Sequence, residues 1–314
     1  MKKILTIIFL LFGFSLGAQT VSFAVMPENP QPGGPVIVGM GQSSGAKTAA
    51  LMSNGVRLAR AAFFTVPGEG GAPPFLAAAL AVPSTARSGK AVIVVEGSLQ
   101  GAPQGSPQSG VIVEIPLEIA VRRFESEVIH LNPVLTGIRA DPDPQKTAEA
   151  NYLMSILNKT GNEAYYFGSF IPPVTSTRRT SAFGGRRVYQ YSNGDSSASI
   201  HAGIDYGVPM GTEVLACGAG RVALARNRIV TGNSVIIEHL PGVYSLYYHL
   251  DNIEVSEGAL VAAGTRLGLS GSTGLATGPH LHWEIRVSGE NTDPDAFIGR
   301  PILDKNAIIS KIYR

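Results

Sequence analysis

Apolar and polar residues alternate in short runs through the last part of the chain, most strictly at His280-Leu281-His282-Trp283-Glu284-Ile285-Arg286-Val287. In an extended strand Leu281, Trp283, Ile285 and Val287 take one face, and His280, His282, Glu284 and Arg286 the other. Shorter runs at 221–225, 234–239, 244–250 and 266–270, separated by turn residues, complete the pattern of a compact antiparallel β domain. From about 21 to 122 the runs at 91–95 and 111–115, set between Gly/Pro/Ser stretches, predict a small β-sandwich. Between the two halves the period changes. Asp143-Pro144 opens a helix over about 141–159 with Tyr152, Leu153, Ile156 and Leu157 on one face, and Gly161 stops it. That stripe is expected to pack on a neighbouring domain, and Pro172-Pro173 leads into the last domain near Val174.

Composition supports this layout. A length of 314 residues suits two domains, and 44% apolar with 15% charged residues excludes disorder throughout. Thirty-seven glycines and 21 prolines favour short strands and tight turns, so the fold class is mainly β. The formal charge of +2 includes Lys2 and Lys3, which leaves the rest nearly neutral and gives no reason to expect nucleic-acid binding. Met1-Lys2-Lys3, the apolar run over 4–16 and Gly17-Ala18 read as a secretory signal over 1–18, cleaved after Ala18. An uncleaved anchor is the alternative, but the run falls short of the roughly 20 residues that span a bilayer. No cysteine follows it, which removes lipoprotein anchoring. Cys217 is the single cysteine, so neither an internal disulfide nor a thiolate zinc cluster can form, and it reads as a small buried hydrophobe.

A metal site in this chain must therefore use histidine and carboxylate. Besides His280 and His282 on one strand face, His201-Ala202-Gly203-Ile204-Asp205 places an imidazole and a carboxylate where a turn enters a strand. In Tyr244-Ser245-Leu246-Tyr247-Tyr248-His249-Leu250, alternation puts His249 on the face of Ser245 and Tyr247. His239 and His130 read as structural. Each motif alone is ordinary strand chemistry, yet five of the six histidines fall in the last domain. Two imidazoles and one carboxylate are what catalytic zinc accepts, leaving a position for water, and mixed nitrogen and oxygen donors favour zinc over calcium or magnesium.

The order His-x-x-x-Asp, Tyr-x-His-Leu, Gly-Pro-His-Leu-His closely resembles the lysostaphin-type (LytM-like) metallopeptidases. The resemblance covers about 180–297 and takes in Ser181-Ala182-Phe183-Gly184 with Arg186-Arg187, Val208-Pro209-Met210-Gly211-Thr212, Gly218-Ala219-Gly220-Arg221-Val222 and Gly271-Ser272-Thr273-Gly274. The upstream half is similar to the immunoglobulin-like domain that precedes some of these peptidases. Carried over by position, the resemblance implies one zinc ion per chain on His201, Asp205 and His282, with His249 and His280 as catalytic histidines. His280 is placed to move the proton and His249 to stabilise charge on the opposite side. Together with the sequence pattern, it gives the expected layout of a signal peptide over 1–18, an immunoglobulin-like β domain over 19–132, a linker with a helix over 133–173, an antiparallel β peptidase domain over 174–301 and a tail over 302–314. The expected activity is that of an exported zinc metalloendopeptidase cutting peptidoglycan stem-peptide cross-links, in the periplasm, the cell envelope or outside the cell. The chain is expected to keep no stable membrane span after signal cleavage. Two alternatives stay open: a non-catalytic wall-binding protein or amidase activator of the same fold, and an enzyme held latent by its N-terminal half.

Overall fold

The computed structural model describes residues 22–98, 109–159 and 161–313. The signal segment 1–18 and most of the glycine-rich stretch 101–110 lie outside the described residues. Strands β1 (Phe23–Met26), β2 (Pro35–Gly41), β3 (Ala46–Ser53), β4 (Val56–Ala62), β5 (Phe64–Val66), β6 (Phe75–Ala81), β7 (Gly89–Ser98) and β8 (Ser109–Ile119) form two four-stranded antiparallel sheets, ordered β1-β2-β6-β5 and β4-β3-β7-β8. Val38, Met40 and Leu80 of the first sheet meet Leu51, Ile93 and Val95 of the second in one buried cluster. This is the face-to-face sandwich that the sequence pattern predicts, an architecture shared with immunoglobulin-like domains.

Next come β9 (Ser126–His130), α1 (Pro133–Ala140) and α2 (Pro144–Leu157). The Asp143 carboxylate accepts from the Gln145 amide at 2.7 Å, and Pro144 occupies the first turn, so α2 begins where the N-cap signal places it. Leu157 is buried against Leu224, Ile236, Leu246 and Tyr248, with Leu153 and Ile156 beside it. Tyr152 lies half out, under the Arg226 guanidinium at 4.8 Å. The apolar stripe thus packs on the sheet that follows.

That sheet is built from β10 (Arg179–Ser181), β13 (Ile204–Tyr206), β14 (Glu213–Leu215), β15 (Gly220–Arg228), β16 (Gly232–Leu240), β17 (Val243–Ile253), β18 (Leu260–Val261), β19 (Arg266–Ser270), β20 (Leu281–Val287) and β21 (Glu290–Thr292). Its main path runs β10-β13-β20-β17-β16-β15-β18. Between β10 and β13, β11 (Arg186–Gln190) and β12 (Ser196–Ile200) form a hairpin that leaves the main sheet. β11 pairs in parallel with β9, so a strand inside the 19–132 range belongs to a separate three-stranded sheet beside the last domain.

Leu281, Trp283, Ile285 and Val287 are buried, as the alternation requires. A slip of β20 by one residue would exchange them for His282 and Glu284 and drive ionisable groups into the apolar core, so the core fixes which way the histidines point. The core is shared: Ile37, Ala77 and Ala79, from the outer face of the first sandwich sheet, join the cluster of Trp283 and Val287. Arg122 bridges the halves through Asp293 at 2.5 Å and the Pro32 carbonyl at 3.1 Å. Most of the 302–314 segment is a packed helix, not a loose tail: α3 (Lys305–Ile312), capped by Asp304, buries Ile308 and Ile312 in the same core. No helix among the described residues is long and apolar enough to cross a membrane.

Candidate metal centre

Three buried side chains, His201, Asp205 and His282, bring one donor atom each within 4.8 Å of one another. Their convergence follows from strand register. Asp205 on β13 lies directly opposite His282 on β20, and His201 sits in the turn that enters β13. Gly203 makes that entry possible, because a Cβ there would stand 2.2 Å from the Trp283 carbonyl oxygen. His201 Nε2 lies 3.0 Å from Asp205 Oδ1 and 3.0 Å from His282 Nδ1, and His282 Nδ1 lies 2.7 Å from Asp205 Oδ1.

Each group is held from behind by a second partner. His201 Nδ1 donates to the Ala182 carbonyl at 2.7 Å, which leaves the Nε2 lone pair facing its neighbours. His282 Nε2 donates to Glu284 Oε1 at 3.0 Å, and Glu284 is held in turn by Arg286 at 2.7 Å. Asp205 Oδ2 accepts from Arg187 at 2.8 Å, so Oδ1 alone faces the imidazoles. Two nitrogens and one oxygen, oriented by outer partners, are a donor set that zinc accepts. The charges agree. Burial alone would raise the Asp205 pKa, but His282 and His201 outweigh it and hold the carboxyl well below its usual range. Burial would lower His282, yet Asp205 and Glu284 push it up to about 9. Glu284, which burial would raise, is brought down to about 2 by Arg286 and His282. The two carboxylates therefore favour a positive charge on the His282 side of the cluster. A metal ion would take the place of the proton on His282 Nδ1, with Nε2–H kept by Glu284.

Two more histidines border the cluster. His280 Nε2 stands 3.9 Å from Asp205 Oδ1, and the His249 ring centroid is 4.8 Å from that of His280 and 6.1 Å from that of His282. His249 reaches this position against the simple alternation. Ser245 and Tyr247 point into the core, whereas His249 takes φ 62° at a shift in the β16–β17 register and turns onto the site side. The expectation that it shares their face is therefore corrected: a bulge with one residue in the left-handed region re-aims the side chain. His249 Nδ1 donates to the Thr273 carbonyl at 2.7 Å, and burial, followed by His280 and His282, lowers its pKa to about 3. A neutral His249 so bonded presents an unprotonated Nε2 toward the site. His280 Nδ1 donates to the Gly278 carbonyl at 2.8 Å, so it too presents an unprotonated Nε2 when neutral.

The other histidines stay apart, as does the cysteine. His239 is buried between the Ala219 carbonyl and Ser245, both at 2.7 Å; Cys217 is wholly buried; His130 is exposed on β9. Sequence reasoning gave no role to Glu284, although its place two residues beyond His282 on the same strand face was a readable signal. Arg187 was noted only within a motif, and Glu127, which bonds to it, was missed. The two are 60 residues apart with no local pattern to join them.

Residues 199–294 match the model of peptidase family M23. The chain is 42% identical over 118 residues to peptidoglycan DD-endopeptidase ShyA of Vibrio cholerae, a match covering 37% of this chain and 27% of that protein. It is 39% identical over 127 residues to DD-carboxypeptidase/endopeptidase Mpg of Neisseria meningitidis, covering 40% of this chain and 28% of that one. These matches span little more than a quarter of each relative's length. A solved Pseudomonas aeruginosa protein assigned to peptidase M23 has the same fold over 86% of this chain and 95% of its own, with a TM-score of 0.59 and 22% identity.

Proposed function

From the premise that residues 199–294 form a peptidase family M23 domain, we propose that the chain is an exported zinc metalloendopeptidase that hydrolyses peptide cross-links of peptidoglycan. The observation that carries this reading is the convergence of His201 Nε2, Asp205 Oδ1 and His282 Nδ1, each with its other polar atom engaged elsewhere. These three would hold a single zinc ion per chain. Zinc held there supplies Lewis acidity, polarising a scissile carbonyl and making water acidic enough to ionise near neutral pH.

The remaining steps belong to the chain's own groups. His280, next to Asp205 and the more open of the two flanking histidines, accepts a proton at Nε2 from the attacking water and returns it to the leaving amine. His249 accepts a hydrogen bond at Nε2 from across the cleft and orients the group that donates it. Glu284 and Arg286 hold the His282 ring. The relatives named DD-endopeptidases support a D-alanyl to diamino-acid cross-link as the bond cut, in preference to a glycine bridge. The signal read over 1–18 supports a reaction outside the cytoplasmic membrane.

Digestion of purified peptidoglycan, with and without a zinc chelator and with mass spectrometry of the fragments, tests this reading. It predicts chelator-sensitive release of fragments cut at D-alanyl cross-links. Intact wall would support the non-catalytic regulator, and cleavage of glycyl-glycine bonds alone would overturn the substrate.

A further inference from the structure

Behind Asp205 a charged chain leads out of the peptidase domain and into the N-terminal half. Arg187 Nη2 donates to Asp205 Oδ2 at 2.8 Å and to Ser181 Oγ at 2.8 Å, while its Nε donates to Glu127 Oε1. The Ser181 hydroxyl donates to the same Glu127 oxygen at 3.0 Å and lies 3.3 Å from His201 Nδ1. Glu127 is on β9, directly opposite Arg187 in the parallel pairing with β11. The Arg187 side chain is only 11% exposed, so its guanidinium depends on protein partners to stay ionised at low cost. One carboxylate would leave the planar fork free to turn; two, one on Nε and one on Nη2, hold it in a single orientation. Neither Glu127 nor Arg187 lies within residues 199–294, the segment that matches the family model.

We infer that Glu127 and Arg187 are positioning residues of the metal centre, with β9 delivering the carboxylate that aims Arg187 at Asp205. The inference rests on the proposed zinc role of His201, Asp205 and His282. Arg187 occupies Oδ2 and keeps Oδ1 turned toward the two imidazoles, so the aspartate offers one oxygen in a fixed direction. The strand β9, which precedes the peptidase domain in the chain, is then part of the centre's construction. A strand contributed from outside the domain makes metal affinity depend on the β9–β11 pairing.

Zinc affinity of the full chain, measured by competition with a chromophoric chelator, tests this in Arg187→Ala, Arg187→Lys and Glu127→Gln, alongside melting of the metal-free proteins. Arg187→Ala is expected to weaken zinc binding about 10- to 100-fold. Arg187→Lys should recover part of the loss, since it restores the charge but cannot bridge both carboxylates. Glu127→Gln, which keeps the shape of the side chain, should weaken binding several-fold, and it carries the test if Arg187→Ala fails to fold. A lower melting temperature with parental zinc affinity in the folded variants would show a merely structural role and overturn the inference alone. A parent chain that binds no zinc would overturn the proposed function and this inference with it.

Discussion

The two faces of the β16–β17–β20 sheet both bury histidine, and they treat it in opposite ways. On the core face His239 sits between a carbonyl and a serine hydroxyl, with Cys217 and Tyr247 completing a neutral network. Burial lowers the His239 pKa to about 4 and raises that of Cys217 to about 12, so both stay uncharged. On the other face His282 lies between Asp205 and Glu284 and is pushed up to about 9. The burial is similar; the partners differ. Neutral partners satisfy a histidine and end its chemistry, whereas carboxylates aimed past it leave a cluster that needs a cation.

The sharpest way to break this contrast is His280→Ala. It should lower wall cleavage about 10²- to 10⁴-fold while zinc content stays at the parental level. Loss of zinc from that variant would make His280 a ligand and redraw the site. A smaller effect is expected on the core face. Unfolded histidine titrates near 6.5 and buried His239 near 4, so between these values the unfolded chain binds the extra proton. The stability from keeping His239 neutral is full above about pH 6.5 and is lost as pH falls toward 4, about 3 kcal/mol in all. Denaturant titrations at pH 7 and pH 4.5 should show a shallower loss in His239→Gln than in the parent. Parallel losses would sink the idea. The smallest effect is Cys217→Ala, expected to cost about 1 kcal/mol with zinc content and cleavage unchanged; inactivity of a folded, zinc-loaded variant would show that the buried thiol has a role beyond packing.

The same contrast explains what could be read from the sequence. The period-two pattern of β20 places Trp283 in the core and His282 on the site face, because a strand that is apolar on one side only can be paired in only one register. The start of α2 was legible from Asp143-Pro144, a signal contained in adjacent residues. The sheet of β9, β11 and β12 was not, because its parallel pairing joins residues about 60 positions apart and Val128 and Val188 face solvent, leaving no alternation to read. His249 was assigned to the wrong face because one left-handed residue at a bulge breaks the period without a glycine to announce it. The packed helix α3 was missed because only Ile308 and Ile312 of its eight residues are buried, too few to set a stripe. For the metal centre, the ligand-bearing motifs lay in the sequence, but the Glu127–Arg187–Asp205 chain exists only in three dimensions.

The central claim is that the carboxylate-bearing face holds a metal through Asp205. Metal analysis of the purified full chain and of Asp205→Ala addresses it directly. About one zinc per parent chain and little or none in the folded variant are expected. A parent chain without zinc, or a variant that retains it at the parental level, would contradict it.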